Sequence, residues 1–267
     1  MMNADGFLKA DVGRGDITTV LTVPDTDGSA YILCEQEAVV AGIAAVTDLL
    51  GTVGIDVTAL VKDGDVVKPG MRIMSLAGPL PSIITSERTA LNILMRMSGV
   101  ATLTSKAVEI ADGRIVVAAT RKTTPGFGEF EKEAVRIAGG DTHRLALDSM
   151  IMVKDNHIKA CGGVRAAMEK VRKASFSVKV EVEVENIEDA VTAAEMGADI
   201  IMADNCGPGL TGEIRDAVKA VNDRILVEAS GDITVDNLAD YIGKADIVSM
   251  GSLIYASGST MFSMDVN

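Results

Sequence analysis

The sequence predicts an α/β protein in two parts: a smaller N-terminal α+β domain over 1–111 that ends in a long connecting helix, and a region 112–267 of repeated βα units whose last residues can pack back on the N-terminal domain. Three observations carry this. Short apolar runs at 115–119, 150–153, 178–182, 200–203, 225–227 and 247–250 alternate with helical patterns at 164–174, 187–196, 211–222 and 235–242. Such alternation suits parallel strands with right-handed crossovers, in a sheet or a barrel. Next, Arg121 with Lys122, Lys154, Glu183, Asp204, Ser230 with Gly231, and Gly251 with Ser252 stand directly after these runs. Barrel enzymes place their sites at the C-terminal edge of the strands, whereas a chance surface scatters polar residues at both ends. Finally, 267 residues with 48% hydrophobic side chains and a mean hydropathy of +0.27 suffice for a packed core and for two domains.

In chain order, 11–19 reads as a loop in which GDITT has a structural role. Residues 29–78 break into short β-rich pieces, with 43–50 as a short helix and Asp63, Gly64, Pro69 and Gly70 supplying turn chemistry. The segment DGDVVKPGMRIMSLAG resembles the hairpin of biotinyl and lipoyl carrier domains, but no lysine stands at its tip, so shared architecture explains it better than carrier function. From 86 to 111 runs a long helical pattern, opened by Ser86 as N-cap, with Leu91, Leu94, Met95 and Leu103 at helical spacing and Gly99 as its weak point. Glu87 and Arg88 then fall in its first turn, where a cation opposes the helix dipole and calls for a reason beyond exposure. In KVEVEVE, Lys179, Glu181, Glu183 and Glu185 share one strand face and the valines the other. The strand is either an edge strand with its acids in water or a barrel strand whose last carboxylates reach the mouth.

With 38 acidic and 25 basic residues the chain carries a net charge of -13, so its field repels nucleic acid and anionic membranes. An anionic substrate must be caught locally. Cys34, Cys161 and Cys206 are scattered and odd in number, which points to a reducing compartment, the cytoplasm, and away from a disulfide frame or a zinc site. The N-terminus lacks a hydrophobic signal core and no apolar run is long enough to cross a bilayer. Walker-type, HExxH and GxSxG motifs are absent from the sequence, leaving nucleotide hydrolysis, zinc proteolysis and serine hydrolysis without support.

Residues 120–158, TRKTTPGFGEFEKEAVRIAGGDTHRLALDSMIMVKDNHI, gather cations in this acidic chain and hold both histidines. Composition alone leaves two readings open, an anion site and a basic surface solvated among Glu129, Glu131 and Glu133. The order of residues separates them. TRKTTPG, FEKEAV, GGDTHR and VKDNHI, together with GDITT, SERTALNILMRMSGVAT, VEVEVEN, ADIIMADN and EASGDI, resemble the quinolinate phosphoribosyltransferase family over nearly the whole chain.

The resemblance implies an incomplete (β/α) barrel of six to seven parallel strands, with a short extra strand near His143 and Arg144. It implies a pentosyltransferase that moves a phosphoribosyl group from phosphoribosyl pyrophosphate to quinolinate and releases CO₂, in NAD biosynthesis. Thr120, Arg121, His143, Arg144 and Lys154 would bind the quinolinate carboxylates, joined by Arg88 from the neighbouring subunit of a homodimer or a larger assembly of dimers. Lys122 and Lys154 would act on pyrophosphate and carboxylate, while Glu183 and Asp204 serve the ribose and a Mg²⁺ ion. Ser230, Gly231, Gly251 and Ser252, in the last two βα loops, would hold the 5′-phosphate, as barrels commonly do with backbone N–H groups there. Two departures remove cations near phosphate: Gly128 where members commonly carry Arg, and Ile254, Tyr255 and Ala256 where they commonly carry Thr-His-Ser. A molybdenum-transport-associated paralogue is the nearest alternative; Lys154, Asp155 and Asn156 in VKDNH argue against it.

Overall fold

The computed structural model describes residues 4–267. Residues through Ser105, with Thr124–Ala138 and Ala256–Asn267, make one compact unit; Lys106–Thr123 and Gly139–Tyr255 make the other. The C-terminal residues fall in the first unit, in line with their packing back on the N-terminal domain, whereas Thr124–Ala138, which follows the first strand of the second unit, departs from a division into 1–111 and 112–267.

In the first unit, helices α1 (Asp5–Val12) and α2 (Ile17–Thr22) occupy much of the stretch expected to be a loop. GDITT itself supplies the reason. Asp16 caps α2, accepting the Thr19 N–H at 3.0 Å and the Thr19 hydroxyl at 2.6 Å, a cap of the kind worth about 1 kcal/mol. Strands β1 (Asp27–Cys34), β2 (Ala38–Val39), β3 (Asp56–Ala59), β4 (Val66–Val67) and β5 (Arg72–Pro79) follow, with α3 (Ile43–Gly51) after β2. The main sheet runs β12–β1–β5–β3, all antiparallel, where β12 is the C-terminal strand Phe262–Val266. β1 buries Ala30, Ile32 and Cys34 at alternate positions. Asp63 does more than turn the chain: its carboxylate accepts the N–H groups of Gly42, Ile43 and Ala44 at 2.7–3.2 Å and so satisfies the start of α3.

Helix α4 (Leu80–Ala111) begins well before Ser86, with Pro81 in its first turn, where a missing N–H costs nothing. Ser86 is therefore no cap; its hydroxyl donates to the Ser82 carbonyl at 2.8 Å inside the helix. Arg88 lies beyond the first turn, and the dipole argument for it fails. Gly99 is a close-approach point rather than a weak one, since a Cβ there would stand 2.5 Å from the Gly258 carbonyl oxygen. The fully buried Glu131 of α5 (Gly128–Ile137) accepts from Arg96 Nε and Nη2 at 3.0 and 2.7 Å and from the Thr124 N–H and hydroxyl at 2.8 Å each. This acid is structural and not solvated.

The second unit holds six strands, β6 (Val116–Ala118), β7 (Ile151–Val153), β8 (Val180–Val184), β9 (Ile200–Asp204), β10 (Leu226–Ser230) and β11 (Ile247–Ser249), in the order β6–β11–β10–β9–β8–β7. Every neighbouring pair is parallel. This is an incomplete (β/α) barrel, open between β6 and β7. The extra strand expected near His143 reduces to one parallel bridge, Ala118 with Asp141, in which the Asp141 N–H donates to the Val117 carbonyl at 2.8 Å. Helices α6 (Asp155–Cys161), α7 (Val164–Val171), α8 (Ile187–Glu195), α9 (Pro208–Val221) and the short α10 (Ser252–Tyr255) connect the strands, while the expected helix at 235–242 is a single 3-10 turn, Leu238–Tyr241. One face of the sheet, with Val182, Val184, Ile201, Ala203 and Val227, packs on Ala167, Met168, Ala190, Ala193, Ile214 and Val218. β8 sits between β7 and β9, so the edge-strand reading of KVEVEVE is wrong, and Glu181 and Glu183 turn into the barrel, buried. Among the described residues no helix is long and apolar enough to cross a membrane.

Candidate active site

The C-terminal ends of the six strands surround a cavity of about 480 Å³, lined wholly by the second unit. The strand ends and the loops that follow them supply its lining. After β6, Thr120 accepts the Lys122 N–H at 3.1 Å, a tight turn that leaves Arg121 and Lys122 exposed at the rim. Neither has an ion-pair partner among the described residues. Lys154 follows β7 and binds Glu183 Oε2 on β8. Asp204 ends β9; burial, then the Glu183 charge, holds its carboxyl above the ordinary aspartate range. The neighbouring Asn205 donates to Asp204 Oδ2 at 2.6 Å.

The last two strands bring backbone. Gly231 has φ +99, and a Cβ there would sit 2.3 Å from Asn205 Oδ1 and 2.8 Å from Asn205 Cα, so only glycine lets these loops meet. A Cβ on Gly251 would come within 2.8 Å of the Tyr255 ring and 3.0 Å of Lys122 Cδ.

The cavity is bipolar. Arg121, Lys122, Arg144 and Lys154 supply cations from one arc; Glu183 and Asp204 supply carboxylates from the other. The Arg144 guanidinium is held below its usual range first by burial and then by the nearby Arg121 charge, a crowding of cations that a bound anion relieves. Beneath the rim lies a second layer, His143 with the fully buried Glu181 and Glu228. His143 Nε2 stands 3.0 Å from Glu228 Oε2 and 3.5 Å from Glu181 Oε2. Neither Glu181 oxygen has a hydrogen-bond partner, and burial, then the Glu228 charge, pushes the Glu181 carboxyl up to about 8. Two dry carboxylates cannot both ionise cheaply, since each buried charge costs several kcal/mol.

Residues 16–98 match the family model for the N-terminal domain of quinolinate phosphoribosyl transferase, and 100–265 match the model for its C-terminal domain. The chain belongs to the quinolinate phosphoribosyltransferase family. It is 43% identical over 258 residues to the probable carboxylating nicotinate-nucleotide pyrophosphorylase of Archaeoglobus fulgidus, covering 94% of this chain and 98% of that one. The human carboxylating nicotinate-nucleotide pyrophosphorylase is 38% identical, with 88% of this chain and 81% of that protein covered. The crystal structure of NadC from Streptococcus pyogenes superposes with a TM-score of 0.91 at 35% identity, over 99% of this chain and 95% of that chain.

The cavity gathers every residue expected for a quinolinate phosphoribosyltransferase site except Ser252 and Arg88. Ser252 is buried, and its hydroxyl donates to the Ile233 carbonyl at 2.7 Å, tying the two last loops together instead of facing the cavity. Arg88 belongs to the first unit, 60% exposed, with Glu87 at 3.7 Å. His143 lines the cavity, but Nδ1 accepts the Arg144 backbone N–H at 2.8 Å and Nε2 faces Glu228, so the ring does not offer the free cation expected of it. His157 caps α6 by accepting the Lys154 N–H at 2.9 Å. The pattern of residues after apolar runs does not single out Asn205 or Glu228, which also line the cavity. Glu228 stands two residues before Ser230 on one strand face, which is the signal that places it under the site.

Proposed function

We propose that this cavity transfers the phosphoribosyl group of phosphoribosyl pyrophosphate to the ring nitrogen of quinolinate, yielding nicotinate mononucleotide, pyrophosphate and CO₂. The observation that carries this is the bipolar cavity, in which Arg121 and Lys122 have no ion-pair partner among the described residues while Glu183 and Asp204 face them. Quinolinate brings two carboxylates, which guanidinium and ammonium groups bind by charge-assisted, partly bidentate hydrogen bonds. Arg121, Arg144 and Lys154 take that part, with Thr120 shaping the turn. Lys122 and the backbone at Ser230, Gly231 and Gly251 take the phosphates. As the C1′–O bond to pyrophosphate breaks, positive charge grows on the ribose, and Glu183 and Asp204 stabilise it from fixed positions. The ring nitrogen then bonds to C1′ and becomes cationic. When CO₂ leaves, the electron pair of the broken C–C bond stays on the ring carbon beside that nitrogen until the carbon is protonated.

Glu183 and Asp204 offer hard oxygen donors that would suit a Mg²⁺ ion, whose charge would offset that of the departing pyrophosphate. Arg88, exposed and paired only loosely with Glu87, is the residue for a second copy of the chain to supply, in a two-fold dimer with two shared sites.

One assay tests these points. With Mg²⁺ and phosphoribosyl pyrophosphate, CO₂ release should depend on quinolinate, and nicotinic acid, with one carboxylate, should be a poor substitute. Equal use of the two acids would sink the pocket assignment. R88A and K122A should each be nearly inactive, and refolding them together should return about a quarter of wild-type activity under random pairing. No recovery in a mixture shown by intact-mass measurement to hold mixed dimers would remove Arg88 from the partner's site.

A further inference from the structure

Both ring nitrogens of His143 are committed to the protein, and in opposite senses. Nδ1 accepts the Arg144 backbone N–H at 2.8 Å, so it presents a lone pair. An imidazolium has two donor nitrogens and is excluded by that bond; a neutral ring with Nδ1 as acceptor must carry its proton on Nε2. Nε2 lies 3.0 Å from Glu228 Oε2, which receives that proton as a hydrogen bond. The three side chains also have the composition of a metal site, with ligand atoms within 4.8 Å of one another. The same bond argues against it. Metal-bound histidines donate their second nitrogen to an acceptor, whereas here the second nitrogen is itself the acceptor, and Nε2 could ligate only as an imidazolate.

The backbone shows why such bracing is needed. His143 has φ 51, a left-handed conformation that costs a non-glycine residue roughly 1–2 kcal/mol. Asp141 Oδ1 accepts the His143 N–H at 2.6 Å, and Asp141 is itself bridged to β6. The segment is therefore held on one side by β6 and on the other, through the imidazole, by Glu228 of β10.

We infer that Glu228 is a positioning residue for the substrate-carboxylate pocket: it holds the His143 ring, and the ring, by accepting the Arg144 N–H, sets the backbone from which the Arg144 guanidinium enters the cavity. The pocket's substrate class rests on the proposed function, but the hydrogen-bond relay does not. The test therefore has a readout that needs no turnover.

Imidazole nitrogens are read from two-bond ¹H–¹⁵N correlations of the uniformly labelled full-length protein at neutral pH. The chain has two histidines, so H157Q assigns the spectrum. His143 should show a bare Nδ1 and a protonated Nε2. A protonated Nδ1, or an imidazolium, overturns the relay. E228L, which removes the acceptor, should release the fixed tautomer and raise KM for quinolinate about tenfold, with a smaller change in kcat and in KM for phosphoribosyl pyrophosphate. E228Q keeps an acceptor oxygen and should restore both the tautomer and most of the quinolinate KM. Equal losses in all three kinetic constants for E228L, without rescue by E228Q, overturn the positioning role. So does stoichiometric uptake of Zn²⁺ or Mn²⁺ that E228Q abolishes, which would mark a metal site.

Discussion

Glu183 and Glu181 sit two residues apart on one face of β8, yet the barrel uses them in opposite ways. Glu183, at the mouth, has Lys154 as a partner and adds to the upward push on Asp204. Glu181, one layer down, is fully buried, has no hydrogen-bond partner for either oxygen, and lies beside Glu228. Depth along the strand, not residue type, separates a carboxylate at the cavity mouth from one fully buried beside a second acid. The difference follows from desolvation, which disfavours the charged form of the fully buried Glu181.

The contrast breaks most visibly in turnover. E183A should lower kcat by about 100-fold or more while leaving the quinolinate dissociation constant within a few-fold, because the carboxylate acts on charge that develops only in the transition state. Calorimetric titration beside a single-turnover assay measures the two separately. Turnover within a factor of three of wild type would place Glu183 with Glu181 as a structural acid.

The layer beneath should show itself in stability. The Glu181 carboxyl is raised from 4.5 to about 8, chiefly by burial and then by the Glu228 charge. The folded state thus binds a proton that the unfolded chain has released at the same pH. The stability linked to that proton is fully present below about 4.5 and is lost as pH rises through about 8. E181Q carries the hydrogen permanently, so its melting temperature should fall less than that of wild type between pH 5 and pH 8.5. Parallel curves would show that Glu181 is ionised throughout.

The mouth was legible in the sequence for a physical reason. Parallel strands are buried on both faces and end abruptly, so Arg121, Lys154, Glu183, Asp204 and Ser230 stand out as the first polar residues after an apolar run. The layer below lacks that signal: Glu228 lies inside the run LVEAS and reads as a flaw in a strand until Glu181 is seen opposite. Ser86 has the residue type of a cap, but Pro81 permits an earlier start to α4; the helix expected at 43–50 does begin at Ile43, where Asp63, remote in sequence, satisfies its N–H groups. GDITT looked like loop although Asp16 and Thr19 form a cap, a signal that the local pattern did contain. No periodicity could assign 124–138 to the first unit, because the contacts that tie it there, such as the Arg96 to Glu131 ion pair and the Phe7 ring against Phe127 and Phe130, are remote in sequence.

The smallest expected effect lies at the rim, where Tyr255 stands in place of the histidine that members commonly carry. Its ring is 59% exposed, lines the cavity, and lies so near Gly251 that a Cβ there would be 2.8 Å from it. Y255H would offer an N–H or a partial positive charge beside Lys122 and the Gly251 backbone, the groups assigned to phosphate. An exposed pairing of this kind is worth about 0.2–1 kcal/mol, so KM for phosphoribosyl pyrophosphate should fall about 1.4- to fivefold. Quinolinate is assigned to Arg121 and Arg144 instead, so its KM should stay nearly constant. Raising the salt concentration should shrink the gain, since a solvent-exposed charge contact is screened within about 10 Å at 0.1 M. Equal shifts in both Michaelis constants, or a gain indifferent to salt, would mean that the rim at Tyr255 shapes the cavity as a whole and that phosphate is held elsewhere.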